Sequence, residues 1–256
     1  MLKSLQNIEE EFLMVNQLPP DHLQQFVGGN FEQVGKEFLT LFQQFGGLKQ
    51  NDSVLDVGSG VGRMAVPLTT FLSTEGLYRG FDISKEGIDW SIANISSEYP
   101  HFQFEHINIY NHLYNPNGSL TSTGFHFPYE ADTFNFVFLT SIFTHLMEDE
   151  MTHYLHEINR VMKKDGTCLL TMFIVNDEAT DLIKAGKSSL QFPHKVGEAS
   201  IENLALPNAA VGYSLHTVEA MMNKTNFVRS ELKFGSWCGR TQFTTYQDLL
   251  VLKKKR

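Results

Sequence analysis

The sequence predicts an α/β fold: a doubly wound, mostly parallel sheet with helices on both faces that ends in an antiparallel hairpin. In the middle of the chain, short apolar runs alternate five times with segments of helical periodicity, a pattern typical of a buried parallel sheet. The last two strand-like runs are separated only by a loop, which allows an antiparallel pair. With 256 residues, the chain suits one large domain or one domain with an appendage.

The predicted strands of the alternating region are short and strongly apolar. They cover Ser53–Val57, Leu77–Ile83, Phe102–Ile109, Phe134–Thr140 and Thr167–Val175. Helices are predicted over Gly62–Leu72, over Lys85–Ile95 and over the apolar positions from Met151 to Met162, where Asp165-Gly166 is expected to end the helix. The terminal hairpin is predicted from Val228–Phe234 and Gln247–Leu252.

Two regions fall outside the alternation. Residues 1–50 are predicted to form a mainly helical cap, broken at Pro19-Pro20, ahead of a domain that spans residues 51–256. Residues 177–214 are expected to be irregular, because Pro, Gly, Asn and Ser recur there. A connection of this length inside a compact domain usually carries function, so we expect a substrate-binding or lid insertion.

The composition excludes several classes of protein. The chain has 20 Lys plus Arg against 29 Asp plus Glu, a net charge of −9 and two cysteines, which argues against a disulfide scaffold and a nucleic-acid partner. The N-terminus lacks the apolar core of a secretion signal, and the longest apolar run, around residues 134–143, is too short to span a membrane. We therefore expect a cytoplasmic monomer or homodimer without a membrane span.

A glycine-rich segment after the first predicted strand is the most informative stretch. It reads Asp56-Val57-Gly58-Ser59-Gly60-Val61-Gly62-Arg63 and lies between a strand and a helix, as a nucleotide-binding loop requires. Glycines let the backbone turn tightly and let a ligand approach, while unpaired N–H groups at a helix start favour a negative ligand group. Arg63 stands where a dinucleotide loop has its third Gly, and the Gly-Lys-Ser/Thr ending of a P-loop is missing.

Polar residues also follow the next two strands, at the edge where open α/β sheets bind ligands. Asp82 ends the second strand, where an acid can accept hydrogen bonds from two ribose hydroxyls. Its alternative role is a helix N-cap, for which Ser84 is better placed. Asn108-Ile109 ends the third strand, where an amide can bind an adenine amino group and an aliphatic side chain can cover the ring. For Asn108, capping of the loop is the alternative.

In this order, the residues resemble the signature of class I S-adenosylmethionine-dependent methyltransferases: Asp56 to Gly62, then Asp82, then Asn108-Ile109. The resemblance covers residues 50–175 and 216–253. It implies a Rossmann-like seven-stranded sheet with a reversed last strand, S-adenosylmethionine as cofactor and S-adenosylhomocysteine as product. The family usually has Asp where Asn108 stands. More narrowly, residues 114–118, 141–146, 235–240 and 246–253 resemble uncharacterised bacterial small-molecule methyltransferases.

The resemblance also implies a set of cofactor contacts. They are Asp56, Gly58, Ser59, Gly60, Gly62, Arg63, Asp82, Ile83, Asn108, Ile109, Thr140 and Ser141. Asp56 would organise the loop and help to hold the methionine amino group, and the glycines would line the methionine and ribose parts. Thr140 and Ser141 would flank the methionine part and the methyl group. Arg63 would either pair with a nearby carboxylate or cap the loop from outside.

A base is needed if the acceptor is a hydroxyl or a protonated amine, because a proton must then leave. His145, just past the fourth strand, is the candidate; the alternative is a satisfied histidine in the first turn of the next helix. Small-ligand sites combine apolar walls with a few polar groups, and the predicted substrate contacts are Tyr114, His194, Tyr213, Trp237 and Arg240. No metal is predicted, since His153-x-x-His156-Glu157 matches no zinc-hydrolase motif.

Methyl transfer to a small-molecule acceptor by direct in-line displacement is therefore the predicted function. Two alternatives stay open. One is a non-enzymatic protein that binds S-adenosylmethionine or S-adenosylhomocysteine. The other is an NAD(P)-dependent oxidoreductase, against which Arg63 in place of the third glycine counts.

Overall fold

The computed structural model describes residues 18–255. The expectations for the N-terminus and for the first part of the helical cap concern residues 1–17, which lie outside the described residues. Residue contacts divide the chain into two compact units, of which the first ends at Ile107 and the second begins at Asn108. The helices of residues 18–50 therefore belong to the same unit as the glycine-rich segment.

The first two helices of the described residues are α1 (Asp21–Val27) and α2 (Phe31–Leu41), the latter followed by a π-helical turn over Phe42–Gly46. Pro19-Pro20 immediately precedes α1, a position where proline suits a helix start. Asn30 caps α2, because its side chain accepts a 2.8 Å hydrogen bond from the main-chain N–H three residues further on.

The sheet of the first unit has three parallel strands, β1 (Ser53–Val57), β2 (Leu77–Asp82) and β3 (Phe102–His106), with β2 in the middle. Helix α3 (Ala65–Phe71) joins β1 to β2, and α4 (Lys85–Ser91), extended by a π-helical turn over Ile92–Ser96, joins β2 to β3. The predicted bounds of β1 are confirmed. Helix α3 begins later than predicted, because the glycine-rich segment continues as turns through residue 64.

In the second unit, β4 (Phe134–Leu139) and β5 (Met162–Ile174) are parallel and are joined by α5 (Glu148–Val161). Strand β10 (Asp248–Lys254) lies between β5 and β9 (Phe227–Lys233) and is antiparallel to both, which confirms the predicted terminal hairpin. The side chains of β4, β5 and β10 are mostly buried, so their sequences are near-continuous apolar runs.

The end of α5 differs from the prediction. The helix stops at Val161, and Asp165-Gly166, which was expected to end it, lies inside β5. Phe134 pairs with Met162 and Phe136 with Thr167, so the intervening residues of β5 form a bulge. Pairing of β5 with β4 thus starts directly after the helix. Asp165-Gly166, a pair that favours turns, lies in the bulge instead of ending the helix.

Residues 177–214 are more regular than predicted. They contain α6 (Asp177–Lys184), the short strands β6 (His194–Val196), β7 (Ala199–Ile201) and β8 (Val211–Tyr213), and a 3₁₀ turn over Pro207–Ala209. The three strands form an antiparallel ribbon, and β8 is also parallel to β5. They raise the count within residues 18–255 to ten strands, against seven predicted. Helix α7 (Leu215–Lys224) leads from β8 to β9.

The last features of the fold are the state of the cysteines and the length and polarity of the helices. Cys168 and Cys238 are both buried free thiols, and burial raises the pKa of each. Within residues 18–255, every helix is too short or too polar to cross a bilayer.

Candidate active site

The glycine-rich segment leaves the end of β1 and is held against β2. The main-chain N–H groups of Gly58 and Ser59 both donate to the carbonyl oxygen of Phe81, at 2.9 and 3.0 Å. Gly60 has a φ of +56°, and a Cβ there would lie 2.9 Å from Cγ1 of Val27. Only glycine combines a positive φ with the absence of a Cβ without strain. The backbone path of the loop therefore requires glycine at residue 60.

Asp82 connects this loop to the start of α4. Its Oδ2 accepts a 2.8 Å hydrogen bond from the Gly60 N–H, and its Oδ1 accepts a 2.7 Å bond from the Ser84 N–H. Ser84 is the N-cap of α4, so the helix-cap alternative belongs to Ser84. Burial raises the pKa of Asp82, although these two hydrogen bonds oppose the shift. Each oxygen keeps a further lone pair that can accept from a ligand hydroxyl.

Asp56 is the most perturbed acid of the loop. Its Oδ2 accepts a 2.6 Å hydrogen bond from the hydroxyl of Tyr78, while its buried Oδ1 has no partner within the described residues. Burial, aided by the negative charge of Asp82, raises the pKa of Asp56 to about 8. The buried hydroxyl of Ser59 is likewise unpartnered within residues 18–255. Nε of Arg63 is a third such atom of the segment. Buried polar atoms are normally satisfied, so three unpartnered atoms in one segment indicate a ligand with polar groups.

Arg63 caps the loop from outside. Its guanidinium donates to the carbonyl oxygens of Val27 and Gly28, at 2.8 and 2.5 Å. Within the described residues it forms no salt bridge. Burial lowers the pKa of Arg63, and the nearby charge of Asp56 opposes this shift. Of the two roles left open by the sequence, these contacts favour the cap. Ile83, which follows Asp82, is half-buried.

Asn108 and Ile109 open the second unit. Asn108 is exposed, its Nδ2 donates to the hydroxyl of Ser119 at 3.2 Å, and its Oδ1 accepts from Nδ2 of Asn115 at 3.0 Å. These bonds fit the loop-capping alternative, and the adenine contact stays a prediction. Ile109 is buried.

Ser141 follows β4 in an unusual backbone conformation, with a φ of +61°. Its N–H donates to the hydroxyl of Thr171 at 2.9 Å, and its own hydroxyl accepts a 3.0 Å hydrogen bond from Nε2 of Gln247. Thr171 in turn donates to Oε1 of Gln247 at 2.5 Å. A left-handed serine persists only where its surroundings hold it, and this network does so. Thr140 is buried beside it.

His145 lies in the turn between β4 and α5, three residues before Glu148, where the helix begins. It is therefore outside the first helical turn, where its alternative role would place it. Its Nδ1 is 2.8 Å from the carbonyl oxygen of Asn208, and the ring of Tyr114 approaches edge-on at 5.6 Å between centroids. Burial lowers the pKa of His145, partly opposed by the hydrogen bond to Asn208. The lowered pKa favours the neutral imidazole, the form that a base requires.

The other predicted substrate residues separate into two kinds. Tyr114 and His194 are partly accessible to solvent. Tyr213 is fully buried and donates its hydroxyl to the carbonyl oxygen of Leu146. Trp237 and Arg240 are buried and both donate to Asp248, so their polar groups are already engaged. That Tyr213, Trp237 and Arg240 contact the substrate stays a prediction, and their hydrogen bonds within the chain do not favour it.

Asn208 and Gln247 were missed from the sequence. Each acts through a partner far away along the chain, at separations of 63 residues for the His145–Asn208 pair and 106 for Ser141–Gln247. The residues 18–255 contain no group of His, Cys, Asp and Glu that could hold a metal ion. His153, half of the rejected zinc pattern, has its Nε2 2.7 Å from the carbonyl oxygen of Phe125.

These features define an α/β protein whose first strand leads into a glycine-rich ligand loop, with acids at the ends of β1 and β2. A family model described as a methyltransferase domain matches residues 30–228. The chain therefore belongs to the methyltransferase-domain family.

Solved structures share its fold. The PH0226 protein from Pyrococcus horikoshii OT3 is 17% identical, with 91% of this chain and 95% of that chain covered and a TM-score of 0.63. A SAM-dependent methyltransferase from Aquifex aeolicus is 15% identical, with coverage of 92% and 98% and a TM-score of 0.55. The 1,6-didemethyltoxoflavin-N1-methyltransferase of Burkholderia thailandensis is 11% identical, with coverage of 100% and 90% and a TM-score of 0.58.

The likeness confirms the predicted Rossmann-like fold, a mixed α/β structure with a mostly parallel central sheet and flanking helices. The family uses S-adenosylmethionine as its cofactor. The predicted class, a class I S-adenosylmethionine-dependent methyltransferase, is thereby confirmed.

Proposed function

We propose that this chain transfers a methyl group from S-adenosylmethionine to a small-molecule acceptor by direct in-line displacement. The observation that carries the cofactor part is the pair of buried, unpartnered oxygen atoms in the glycine-rich loop, Oδ1 of Asp56 and Oγ of Ser59. The acceptor is proposed to be small because the Burkholderia methyltransferase, which aligns along the whole chain, is described with a bound 1,6-didemethyltoxoflavin. A net charge of −9 also disfavours a nucleic acid.

The loop residues fit this cofactor. The carboxylate of Asp56 can accept from the methionine amino group, and its ionisation is favoured when a cation lies beside it. Asp82 has lone pairs left for the ribose hydroxyls. Gly58, Gly60 and Gly62 have positive φ and present no side chain, so a ligand can lie directly against the backbone.

When bound, the cofactor would supply an electrophilic methyl group on a sulfonium. The lone pair of the acceptor would form the new bond to the methyl carbon, and the sulfur would keep the electron pair of the bond that breaks. The chain's task is to hold the acceptor in line and to exclude water. We assign Thr140 and Ser141 to the flank of the methyl group. Ser141 is suited to this task because Thr171 and Gln247 fix both its N–H and its hydroxyl.

His145 is proposed as the base that receives the proton of a hydroxyl or protonated amine. Its Nδ1 faces a carbonyl oxygen, which only accepts, so the second ring nitrogen, Nε2, carries the free lone pair. Tyr114 lies against the ring and would form part of the acceptor site. Among the other predicted substrate contacts, His194 lies at the start of β6 and is kept as a candidate.

The proposal also covers the cell compartment, the oligomeric state and the partners of the enzyme. We propose a cytoplasmic enzyme that works as a monomer or homodimer without a nucleic-acid partner. Two buried free cysteines suit a reducing compartment.

The test is a calorimetric titration of S-adenosylhomocysteine, with NAD and NADP titrated in parallel. We expect micromolar binding of S-adenosylhomocysteine alone. A positive titration leads to transfer of a labelled methyl group to a panel of small phenols, carboxylates and amines, with tRNA and DNA as comparison acceptors. Labelling of a small molecule supports the proposal, labelling of nucleic acid alone contradicts it, and binding without transfer to any acceptor supports a non-enzymatic binding protein.

A further inference from the structure

Strand β8 and the 3₁₀ turn before it hold the turn that carries His145. Three consecutive carbonyl oxygens, those of Thr144, His145 and Leu146, each accept a hydrogen bond from residues 208–213. The donors are the N–H of Val211 at 2.8 Å, Nδ2 of Asn208 at 2.6 Å and the hydroxyl of Tyr213 at 3.0 Å. A turn whose carbonyls are all engaged in this way has little freedom to rotate.

Asn208 holds His145 twice. Its side-chain amide donates to the main-chain oxygen of His145, while its main-chain oxygen faces Nδ1 of the His145 ring at 2.8 Å. Because a carbonyl oxygen cannot donate, Nδ1 must carry the proton in the neutral ring. The two bonds join the same two residues in opposite directions, so movement of either residue breaks both.

The contact also determines which nitrogen is basic. With Nδ1 protonated, Nε2 holds the lone pair. The main-chain carbonyl oxygen of Ala209 also lies near the ring and, like that of Asn208, favours its protonated form. The ring of Tyr114 packs edge-on against the imidazole, which limits rotation of the ring. The imidazole is therefore held in one tautomer and one orientation before any acceptor arrives.

We propose that Asn208 is a positioning residue for methyl transfer: it fixes the His145 ring as the Nδ1–H tautomer, so that Nε2 receives the proton of an O–H or N–H acceptor. The catalytic part of this inference rests on the proposed function, whereas the tautomer is a property of the chain alone. The acceptor class that follows is a molecule whose reacting atom carries a proton at the start of the reaction.

The experiment is nuclear magnetic resonance of the full chain with ¹⁵N-labelled histidine at pH 8, where two-bond proton–nitrogen correlations distinguish the two tautomers. The chain has ten histidines, and His145→Gln identifies the signal of His145 by its loss. In the wild-type protein we expect His145 to be the Nδ1–H tautomer. An Nε2–H tautomer in the wild type would overturn the inference without any variant.

Asn208→Ala then tests the role of this residue. Alanine keeps the main-chain oxygen that faces Nδ1 and removes only the amide that joins residue 208 to the main chain of His145. Without this amide we expect the two residues to separate and the Nδ1 resonance of His145 to shift toward that of an unprotonated nitrogen, and we expect Asn208→Gln, which keeps an amide donor, to restore part of the wild-type signal. Asn203→Ala is the matched control, because Asn203 lies in the same segment and its side chain accepts a local hydrogen bond, from the Ala205 N–H. An unchanged His145 spectrum in Asn208→Ala contradicts the inference.

Titration of S-adenosylhomocysteine into the same samples separates this inference from the proposed function. If the wild-type protein fails to bind S-adenosylhomocysteine, the proposed function is wrong whatever the tautomer. If it binds normally and the spectrum of His145 does not depend on Asn208, only the positioning role is wrong.

Discussion

Asp56 is a carboxylate buried with only one of its oxygen atoms hydrogen-bonded within the described residues. Such a group opposes folding, because the charged form loses its hydration and receives too few donors in return. The same feature suits a ligand that brings a positive charge. Binding and stability therefore make opposite demands on this residue.

Asp56→Asn is expected to stabilise the ligand-free protein by about 1–3 kcal/mol and to weaken S-adenosylhomocysteine binding at least about tenfold, or 1.4 kcal/mol. The pKa of Asp56 rises from 3.8 to about 8 on folding, so between these pH values the native state binds more protons than the unfolded state. Its contribution to stability thus falls as the pH rises through this window, and Asn removes that slope. Thermal unfolding at several pH values measures both effects.

Asp248→Asn is the matched control, and the opposite sign is expected. Asp248 accepts hydrogen bonds from the Ile174 and Gly235 N–H groups, from Trp237 and from Arg240. Burial raises the pKa of Asp248 as it does that of Asp56, but both oxygen atoms of Asp248 are hydrogen-bonded, and Arg240 has a second partner in Glu178. Asparagine would turn its amide group toward two of the donors, at a cost of about 1–3 kcal/mol. Destabilisation by both substitutions would show that Asp56 is satisfied in the native state.

Asp82→Ala is expected to weaken S-adenosylhomocysteine binding by at least about tenfold while unfolding stays cooperative. Its carboxylate fixes the Gly60 and Ser84 N–H groups, so alanine releases the loop and removes the acceptor for the ribose. Asp52→Ala is the control, because Asp52 also accepts from a main-chain N–H, that of Lys49, outside the loop. Calorimetric titration compares the two variants, and equal affinities would contradict the assignment of Asp82.

At the scale of elements, the glycine-rich loop is confined between α1 and β2. Gly60 and Gly47 both have a positive φ, +56° and +69°. A Cβ on Gly60 would meet Val27 at 2.9 Å, whereas a Cβ on Gly47 would meet nothing within 4 Å. The two positions therefore separate the effect of backbone strain from that of contact.

Gly60→Ala and Gly47→Ala should each lose about 1–2 kcal/mol of stability from the left-handed conformation. Only Gly60→Ala should lose more stability than this and also bind S-adenosylhomocysteine more weakly, because the clash displaces the loop. Val27→Ala in the Gly60→Ala background should recover part of the loss. Urea unfolding and calorimetric titration provide the measurements. Equal stability losses with unchanged affinity would show that the loop tolerates a side chain.

The strands that the sequence predicted are those whose burial leaves a long apolar run, such as β1, β4 and β10. The three-residue strands β6, β7 and β8 have no room for a recognisable period, and their pairing depends on contacts distant in sequence. The start of β5 was missed because pairing with β4 overrides the turn preference of Asp165-Gly166.

The candidate site divides in the same way. Asp56, the glycines and Asp82 follow one another in a local order that a sequence shows. The hydrogen bonds between Asn208 and His145 and between Gln247 and Ser141 join residues that are distant in the sequence, and only folding brings them together. Trp237 and Arg240 have residue types typical of ligand contacts, yet their polar groups bind Asp248, a burial that loop composition does not reveal.

For the molecule as a whole, the helices of residues 18–50 are integral to the first unit. Leu23 and Phe31 pack in one apolar cluster with Val61 of the glycine-rich segment. Arg63 adds polar bonds to the end of α1. The predicted separation of a cap at residue 50 is still a proposal about domain organisation, and these contacts indicate that the cap and the loop are stabilised together.

Arg63→Ala is expected to accelerate amide hydrogen exchange in α1 roughly 10- to 100-fold, equivalent to the 1.5–3 kcal/mol typical of hydrogen bonds to charged groups. Arg79→Ala is the control, since Arg79 also donates to two carbonyl oxygens of the same unit, those of Tyr78 and His101. Amide hydrogen exchange in α1 should be unaffected in Arg79→Ala. Mass-spectrometric exchange measures both variants, and equal protection of α1 in the two would contradict a tie through Arg63.

The unpartnered carboxylate of Asp56 has a consequence for the life of the protein in a cell. A ligand that binds only the native state adds RT ln(1 + [L]/Kd) to its stability, and the partner that the ligand provides for Asp56 is already included in Kd. Ligand-free molecules should open more often and be degraded sooner than loaded ones. The amount of this enzyme should therefore rise and fall with the supply of methyl donor, without any dedicated regulator.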